Sequence, residues 1–165
     1  MGYSEKRWQE VIDTFYKKYS GGAKWHQRII NEAQTTGRLT IPSGRYFPFS
    51  PERRYNGELK WPITQIKNYP VQGFGADLVM LARLEASKRL RESGVGASLI
   101  STVHDSIVAD CRSEDVTRVG EILFSAVAVV PQLCKQVWGY DFAVPLTSEV
   151  QYGPNKKDMK DLTLT

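Results

Sequence analysis

The stretch that most constrains the fold runs from Ala97 to Cys111. Two runs rich in β-branched and apolar residues, Ala97–Val103 and Ile107–Cys111, are separated only by His104-Asp105-Ser106. A parallel crossover takes a dozen residues or more, so three polar residues leave an antiparallel hairpin as the solution. Its tip then carries an imidazole and a carboxylate. A buried sheet would hold such a tip rigidly while the turn keeps the carboxylate open. That geometry suits a hard cation such as Mg²⁺ held between a carboxylate and substrate phosphates. One aspartate is not sufficient, because two-metal phosphoryl transfer needs further carboxylates around ions about 3.5–4 Å apart. Asp110 and Glu149 are the other acids to weigh. The plainer reading is that Asp105 serves the turn, where aspartate hydrogen-bonds its own backbone.

Around this hairpin the periodicity predicts mostly helices. Trp8, Val11, Ile12, Phe15 and Tyr19 mark an apolar side for a helix over 4–19, with Ser20-Gly21-Gly22 as its stop. Core packing is the expected role of Trp8 and Trp25, though aromatic faces can also stack on bases. A second helix spans about 23–36 and ends at Gly37. Residues 38–49 read as a hairpin turning at Ser43-Gly44, held to a sheet edge by Pro42 and Pro48. Residues 50–61 read as loop. A long helix occupies about 63–93, with Val71, Phe74, Leu78 and Leu81 on one side and Pro70 starting or kinking it. Ser113 is a candidate N-cap for a helix over 114–129, and Pro131 starts another ending before Gly139. A last strand is expected at Pro145–Tyr152, followed by a loose polar tail. The elements do not alternate as βαβ, so the fold class is α+β with an antiparallel sheet packed by several helices.

Charge is unevenly distributed. The net charge is +4, but residues 1–67 hold 12 Lys/Arg against 6 Asp/Glu, so the acidic excess falls in the rest. A basic half suits gripping a polyanion, and equally suits a solvated surface. Hydrophobic residues make up 41% and charged residues 24%, which is ordinary globular composition. No apolar run reaches the ~18–20 residues of a membrane span. The start of the chain has no signal-peptide pattern. Cys111 and Cys134 read as reduced thiols, which with the other features leads to a cytoplasmic expectation and no membrane partner.

Two motifs in collinear order then carry a resemblance. Val103-His104-Asp105-Ser106 resembles motif C of family A DNA polymerases, V-H-D-E. Asn68-Tyr69-Pro70-Val71-Gln72-Gly73-Phe74-Gly75-Ala76-Asp77 resembles the family's N-x-P-x-Q-G-x-x-A-D helix. Gly37 to Pro48 loosely follows its G-x-x-x-T-x-x-G-R-x-x-x-P pattern, and Val144–Val150 resembles its closing strand, so nearly the whole chain is covered, with phage enzymes the nearest in character. V-H-D alone is a weak signal; the two motifs in order are a strong one. The resemblance implies the distal fingers (about 1–67), the palm (about 68–155) and a tail (156–165) of a polymerase domain. It implies that Asp105 binds the two catalytic Mg²⁺ ions, that His104 lies near the primer terminus, and that Asn68 and Gln72 touch the minor groove. Lys24, Arg28 and Arg45 are candidate contacts to DNA. Primer–template DNA and dNTPs are the implied partners.

The residues themselves agree on Asn68 and Gln72. Four apart, they share a helix face, and amides can donate to the acceptors that every Watson–Crick pair shows in the minor groove. Gly73 and Gly75 would admit a close backbone or duplex, or else a neighbouring helix; for Gly75 with Ala76 the helix reading carries at least equal weight. Asp77 reads as structural, a helix-borne carboxylate pairing with a local base. Ser106 departs from the family glutamate, and the motif A aspartate and the nucleotide-binding helix do not occur in these residues. The expectation is therefore a chain inactive alone, completed by an N-terminal polymerase segment, as a fragment or a split-gene product would be. Two other classes remain: a non-catalytic nucleic-acid-binding module, and a metal phosphohydrolase, for which two histidines, His26 and His104, are few.

Overall fold

The computed structural model describes residues 4–164. They divide into two compact units, one reaching to Ile41 and including Arg45–Val71, the other formed by Pro42–Gly44 and Gln72 onward. The class is α+β: among the described residues there are five α-helices and four antiparallel strand pairs.

In the first unit, α1 (Glu5–Lys18) is followed after a single residue by α2 (Ser20–Thr36). Ser4 caps α1 by accepting from the Arg7 amide. The expected stop at Ser20-Gly21-Gly22 is instead the first turn of α2, where the leading N–H groups have no intrahelical partner in any case. Gly37, at φ 72°, ends α2 with a left-handed cap. Strands β1 (Arg38–Thr40) and β2 (Tyr46–Pro48) pair as expected, Arg38 opposite Pro48. The segment expected as loop holds a second short hairpin, β3 (Glu52–Arg53) with β4 (Leu59–Lys60), turned by Gly57 at φ 80°. The Asn56-Gly57 pair is its sequence signal. Ile29, Ala33, Leu39, Phe49 and Ile66 form the core, with Trp25 and Trp61 packed against it.

Core packing, expected for Trp8 and Trp25, holds for Trp25 but not for Trp8, which is 55% exposed. Trp8, Val11, Ile12, Phe15 and Tyr19 are 45–55% exposed, and α1 contributes no buried residue. Periodicity says which side of a helix is apolar but not what covers it.

Helix α3 (Ile63–Ser93) begins in the first unit and continues in the second. Pro70 neither starts nor ends it; buried within it, proline leaves one i→i−4 hydrogen bond unmade. Val71 is 59% exposed, so the apolar side begins at Phe74. The second unit's core joins Leu81, Ala82, Val130 and Cys134 with Leu78, Ile107, Trp138 and Phe142. Ile107 belongs to β6 (Ser106–Cys111), which pairs with β5 (Ala97–Val103), so the long helix packs beside the hairpin. A 3-10 turn at Ser113–Asp115 leads into α4 (Val116–Ala128). Ser113 is therefore inside that turn rather than a cap, and the Asp115 carboxylate is held by Arg112 at 3.0 Å. Helix α5 (Val130–Trp138) ends at Gly139, φ 65°.

The expected closing strand shrinks to β7 (Gln151–Tyr152), paired with β8 (Lys160–Asp161). Among the described residues nothing forms a ladder with 145–150, and a strand exists only by its neighbour. The tail is not loose. The Leu162 amide donates to the Val150 carbonyl at 2.8 Å, and Leu162 and Val150 close over Gly120, where a Cβ would collide with Leu162. No single helix among the described residues is long and apolar enough to cross a membrane. A pair bent by 48°, Ser113–Ala128 with Val130–Trp138, passes on length and composition only, and it contributes Val119, Ala126, Val130 and Cys134 to the buried set.

Candidate nucleotidyl-transfer site

The β5–β6 hairpin closes with Val103 opposite Ser106, so His104 and Asp105 are the two turn residues. His104 takes φ 53°, the one non-glycine residue with positive φ among those described. Positive φ at the first turn position alone is the type II′ pattern, which fits the right-handed strand twist and normally takes glycine there. A histidine held so costs about 1–3 kcal/mol, and such outliers cluster at functional sites. Ser106 Oγ donates to the Val103 carbonyl at 2.9 Å and tightens the turn.

Asp105 is exposed at the tip, with His104 and Ser106 beside it. The expectation of a buried sheet around them fails: Ile100 is 63% and Val103 42% exposed, and the ladder has only two strands. The other acids are not gathered here. Asp110 pairs with Ser98 at the base of the hairpin, four residues from Ser106 and so about 13 Å along the strand. Glu149 lines a separate cleft with Glu121 and Phe124. Among the described residues no three His, Cys, Asp or Glu side chains converge on a metal position. The tip thus fits a divalent ion in kind, as an accessible carboxylate, but supplies one ligand.

Asn68 and Gln72 are both exposed, one turn apart on α3. No neighbouring atom comes within 4 Å of where a Cβ on Gly75 would stand, so the helix-packing reading of Gly75 does not hold. Asp77 is 7% exposed and accepts a hydrogen bond from the Ser43 hydroxyl, a buried setting that agrees with a structural role. Lys24 and Arg28 are exposed one turn apart on α2. Like charges so spaced destabilise a helix by a few tenths of a kcal/mol. Arg45 is exposed at the end of the β1–β2 turn, its carbonyl accepting from the Ile41 amide at 2.9 Å.

His26, the other histidine, has a structural setting. Tyr16 Oη lies 3.1 Å from its Nδ1, and partial burial, then the Lys67 ammonium, holds its pKa below the ordinary value. Cys111 and Cys134 are free thiols, both pushed up by burial. Sequence reasoning missed the strained His104 backbone, for which the two-residue spacing of the turn was the available signal.

The described residues thus present an exposed carboxylate at a two-residue turn in an α+β chain. The chain belongs to DNA polymerase family A, whose family model matches residues 1–158. It is 28% identical over 162 residues to DNA polymerase I of Geobacillus stearothermophilus, covering 97% of this chain and 17% of that enzyme. Against the DNA polymerase of Bacillus phage SP01 it is 33% identical over 169 residues, covering 98% of this chain and 17% of the phage protein. The chain therefore spans about one sixth of the length of these relatives. The POL domain of Pol1 from M. smegmatis, solved in complex with DNA primer-template and dNTP, superposes with a TM-score of 0.67 at 14% identity. That match covers 77% of this chain and 23% of that one, and shows the shared fold. Family membership is consistent with divalent metal use.

Proposed function

We infer that this chain is the C-terminal portion of a polymerase domain that carries out template-directed DNA synthesis, with Asp105 as one ligand of its catalytic metals. The observation that carries this reading is the motif C sequence at an exposed, strained hairpin tip in a chain matched to the family over 1–158. Residues about 1–67 act as distal fingers, 68–155 as palm. Two Mg²⁺ ions, when bound, would stabilise charge on the transferring phosphoryl group and lower the pKa of the primer hydroxyl.

This chain's own residues then position. Asp105 supplies an anionic oxygen with little backbone freedom. His104, fixed beside it, contacts the primer end. Asn68 and Gln72 donate to minor-groove acceptors that every correct pair presents. Lys24, Arg28 and Arg45 hold phosphates. With one ligand in place, the remaining carboxylate and the triphosphate grip come from an N-terminal polymerase segment. The apolar side of α1 is the surface we assign to that segment, because Val11, Ile12 and Phe15 stay about half-exposed among the described residues. The reading also implies a cytoplasmic setting.

The test mixes the purified chain with an upstream segment carrying motif A and the nucleotide-binding helix, primer–template, dNTPs and Mg²⁺. Synthesis should require both pieces, and Asp105→Ala should abolish it. Robust synthesis by this chain alone, or an undiminished rate in Asp105→Ala, would refute the assignment. DNA binding that is salt-sensitive, metal-independent and never productive would leave the non-catalytic module in its place.

A further inference from the structure

The second unit contains a cleft of about 640 Å³ that none of the motif residues lines. Three pieces of chain build it: one side of α4, the extended residues 148–150, and the tail from Asp161. Its apolar surface is Phe124, 39% exposed, with the half-buried Val150, Leu162 and Leu164. Its charged groups are all carboxylates, on the exposed Glu121, Glu149 and Asp161. Asp161 accepts a hydrogen bond from the Gln151 side-chain amide at 2.9 Å. Glu121 and Glu149 have no ion-pair partner among the described residues. Arg89 reaches the wall at Ser125, 2.9 Å away, but its charge is answered by Glu85 at 2.7 Å. The Ser148 hydroxyl, also at the wall, is buried with no hydrogen-bond partner among the described residues. Asp161, Leu162 and Leu164 lie beyond residues 1–158, so the cleft depends on side chains outside the family match.

We propose that this cleft docks a basic, apolar segment of a partner polypeptide, with lysine or arginine stems against Phe124 and Leu162 and their charged heads at Glu121 and Glu149. Apolar surface rimmed by carboxylates calls for an occupant that carries alkyl and cationic groups together. Lysine and arginine do so on one side chain, the stem packing on apolar surface while the head stays at the wet rim. Leucine or phenylalanine beside them in the segment then covers Val150 and Leu164. A main-chain group of the same segment gives Ser148 a partner. Charge selects among macromolecules, because three carboxylates repel a nucleic acid strand and an anionic lipid surface alike. The cleft also belongs to the half of the chain that carries the acidic excess, whereas residues 1–67 hold 12 Lys/Arg against 6 Asp/Glu. A cationic segment is therefore drawn to the second unit and turned away from the first. The proposal does not rest on the polymerase reading.

The test is fluorescence anisotropy on the full chain with three labelled short peptides of equal length, alternating Lys with Leu, Lys with Ser, and Glu with Leu. The Lys–Leu peptide should bind tightest. Exchanging its leucines for serine should weaken binding about 10-fold or more, the value of one buried leucine side chain. The Glu–Leu peptide should not bind. Glu121→Gln with Glu149→Gln, both at exposed positions, should weaken Lys–Leu binding about 2- to 25-fold, the range of two exposed ion pairs, and reduce its salt dependence. Equal binding of the Lys–Leu and Lys–Ser peptides, equal binding of the Lys–Leu and Glu–Leu peptides, or wild-type binding by the double variant would each overturn the proposal. Self-association of the chain in sedimentation velocity, lost in the double variant, would assign the cleft to a second copy and overturn it too. Asp105→Ala should leave every peptide affinity as it is, so nucleotidyl transfer stands or falls on primer extension alone.

Discussion

Substituting Phe15 by aspartate should disable docking of the upstream polymerase segment while leaving the fold of this chain intact. Phe15 is 54% exposed on α1 and contributes nothing to the core. Its ring lies 5.6 Å from the Tyr16 ring and 4.9 Å from that of Tyr19. A large aromatic side chain buries about 150–250 Å² when fully covered, so roughly 100 Å² of Phe15 is open to a partner. At about 25 cal/mol per Å², covering it contributes about 2.5 kcal/mol, close to a 60-fold change in affinity. The aspartate charge adds a desolvation cost to that figure. Titration calorimetry of the two segments should therefore show at least a 60-fold weaker complex, with the circular dichroism and urea midpoint of the variant chain unchanged. Wild-type affinity in Phe15→Asp would refute α1 as the docking surface. A lost fold would refute the claim that its stripe is open.

Three other perturbations follow from single residues. His104→Gly should raise stability by about 0.5–2 kcal/mol, since the strain at φ 53° exceeds the entropy glycine adds to the unfolded chain, while primer extension falls; a lower urea midpoint would show that the turn is unstrained. Because His26 has its folded pKa lowered, the unfolded state takes up the proton first. Its contribution is thus complete above the ordinary value of about 6.5 and is lost as pH falls below it. His26→Gln should flatten that acid limb, and identical limbs would remove His26 from the account. Gly153→Ala would drive a Cβ into the Asp158 backbone carbonyl, which cannot yield as a side chain tip can. Limited proteolysis should then cut between 153 and 164, and full protection would show that the β7–β8 turn has room to shift.

What the sequence made legible was local. Ala97–Val103 appears as a strand with the predicted bounds, and Ile107–Cys111 gains only Ser106, because a two-sided β pattern with a short polar gap has one solution. Gly37 and Gly139 cap helices as their positions suggested. Asp105 could be placed at the tip for the same reason. The hairpin at 52–60 was missed because its strands are two residues long, too short for alternation to register, although Asn56-Gly57 marked the turn. Ser20-Gly21-Gly22 misled because a glycine pair reads as a stop by composition, whereas the chain there turns through Tyr19 alone.

What was not legible was coverage, and its failures share one physical form. The α1 stripe, the outer positions Ile100 and Val103 of the hairpin, and the segment 145–150 all carry the pattern of an element with a neighbour. The pattern is a statement about selection on a side chain's environment, and that environment need not lie within these residues. An apolar helix side left half-exposed over five large residues is a surface of the kind that marks association. A two-stranded hairpin is marginal in water without further strands or a helix beside it, and here Ile107 packs with α3 while, among the described residues, no third strand joins the ladder. If an upstream segment supplies both the missing carboxylate and the missing cover, then metal binding at Asp105 and burial of Phe15 should appear together on the same complex. Phe15→Asp should then abolish synthesis at low concentrations of the two segments, and raising those concentrations should restore it. Asp105→Ala should stay inactive at every concentration.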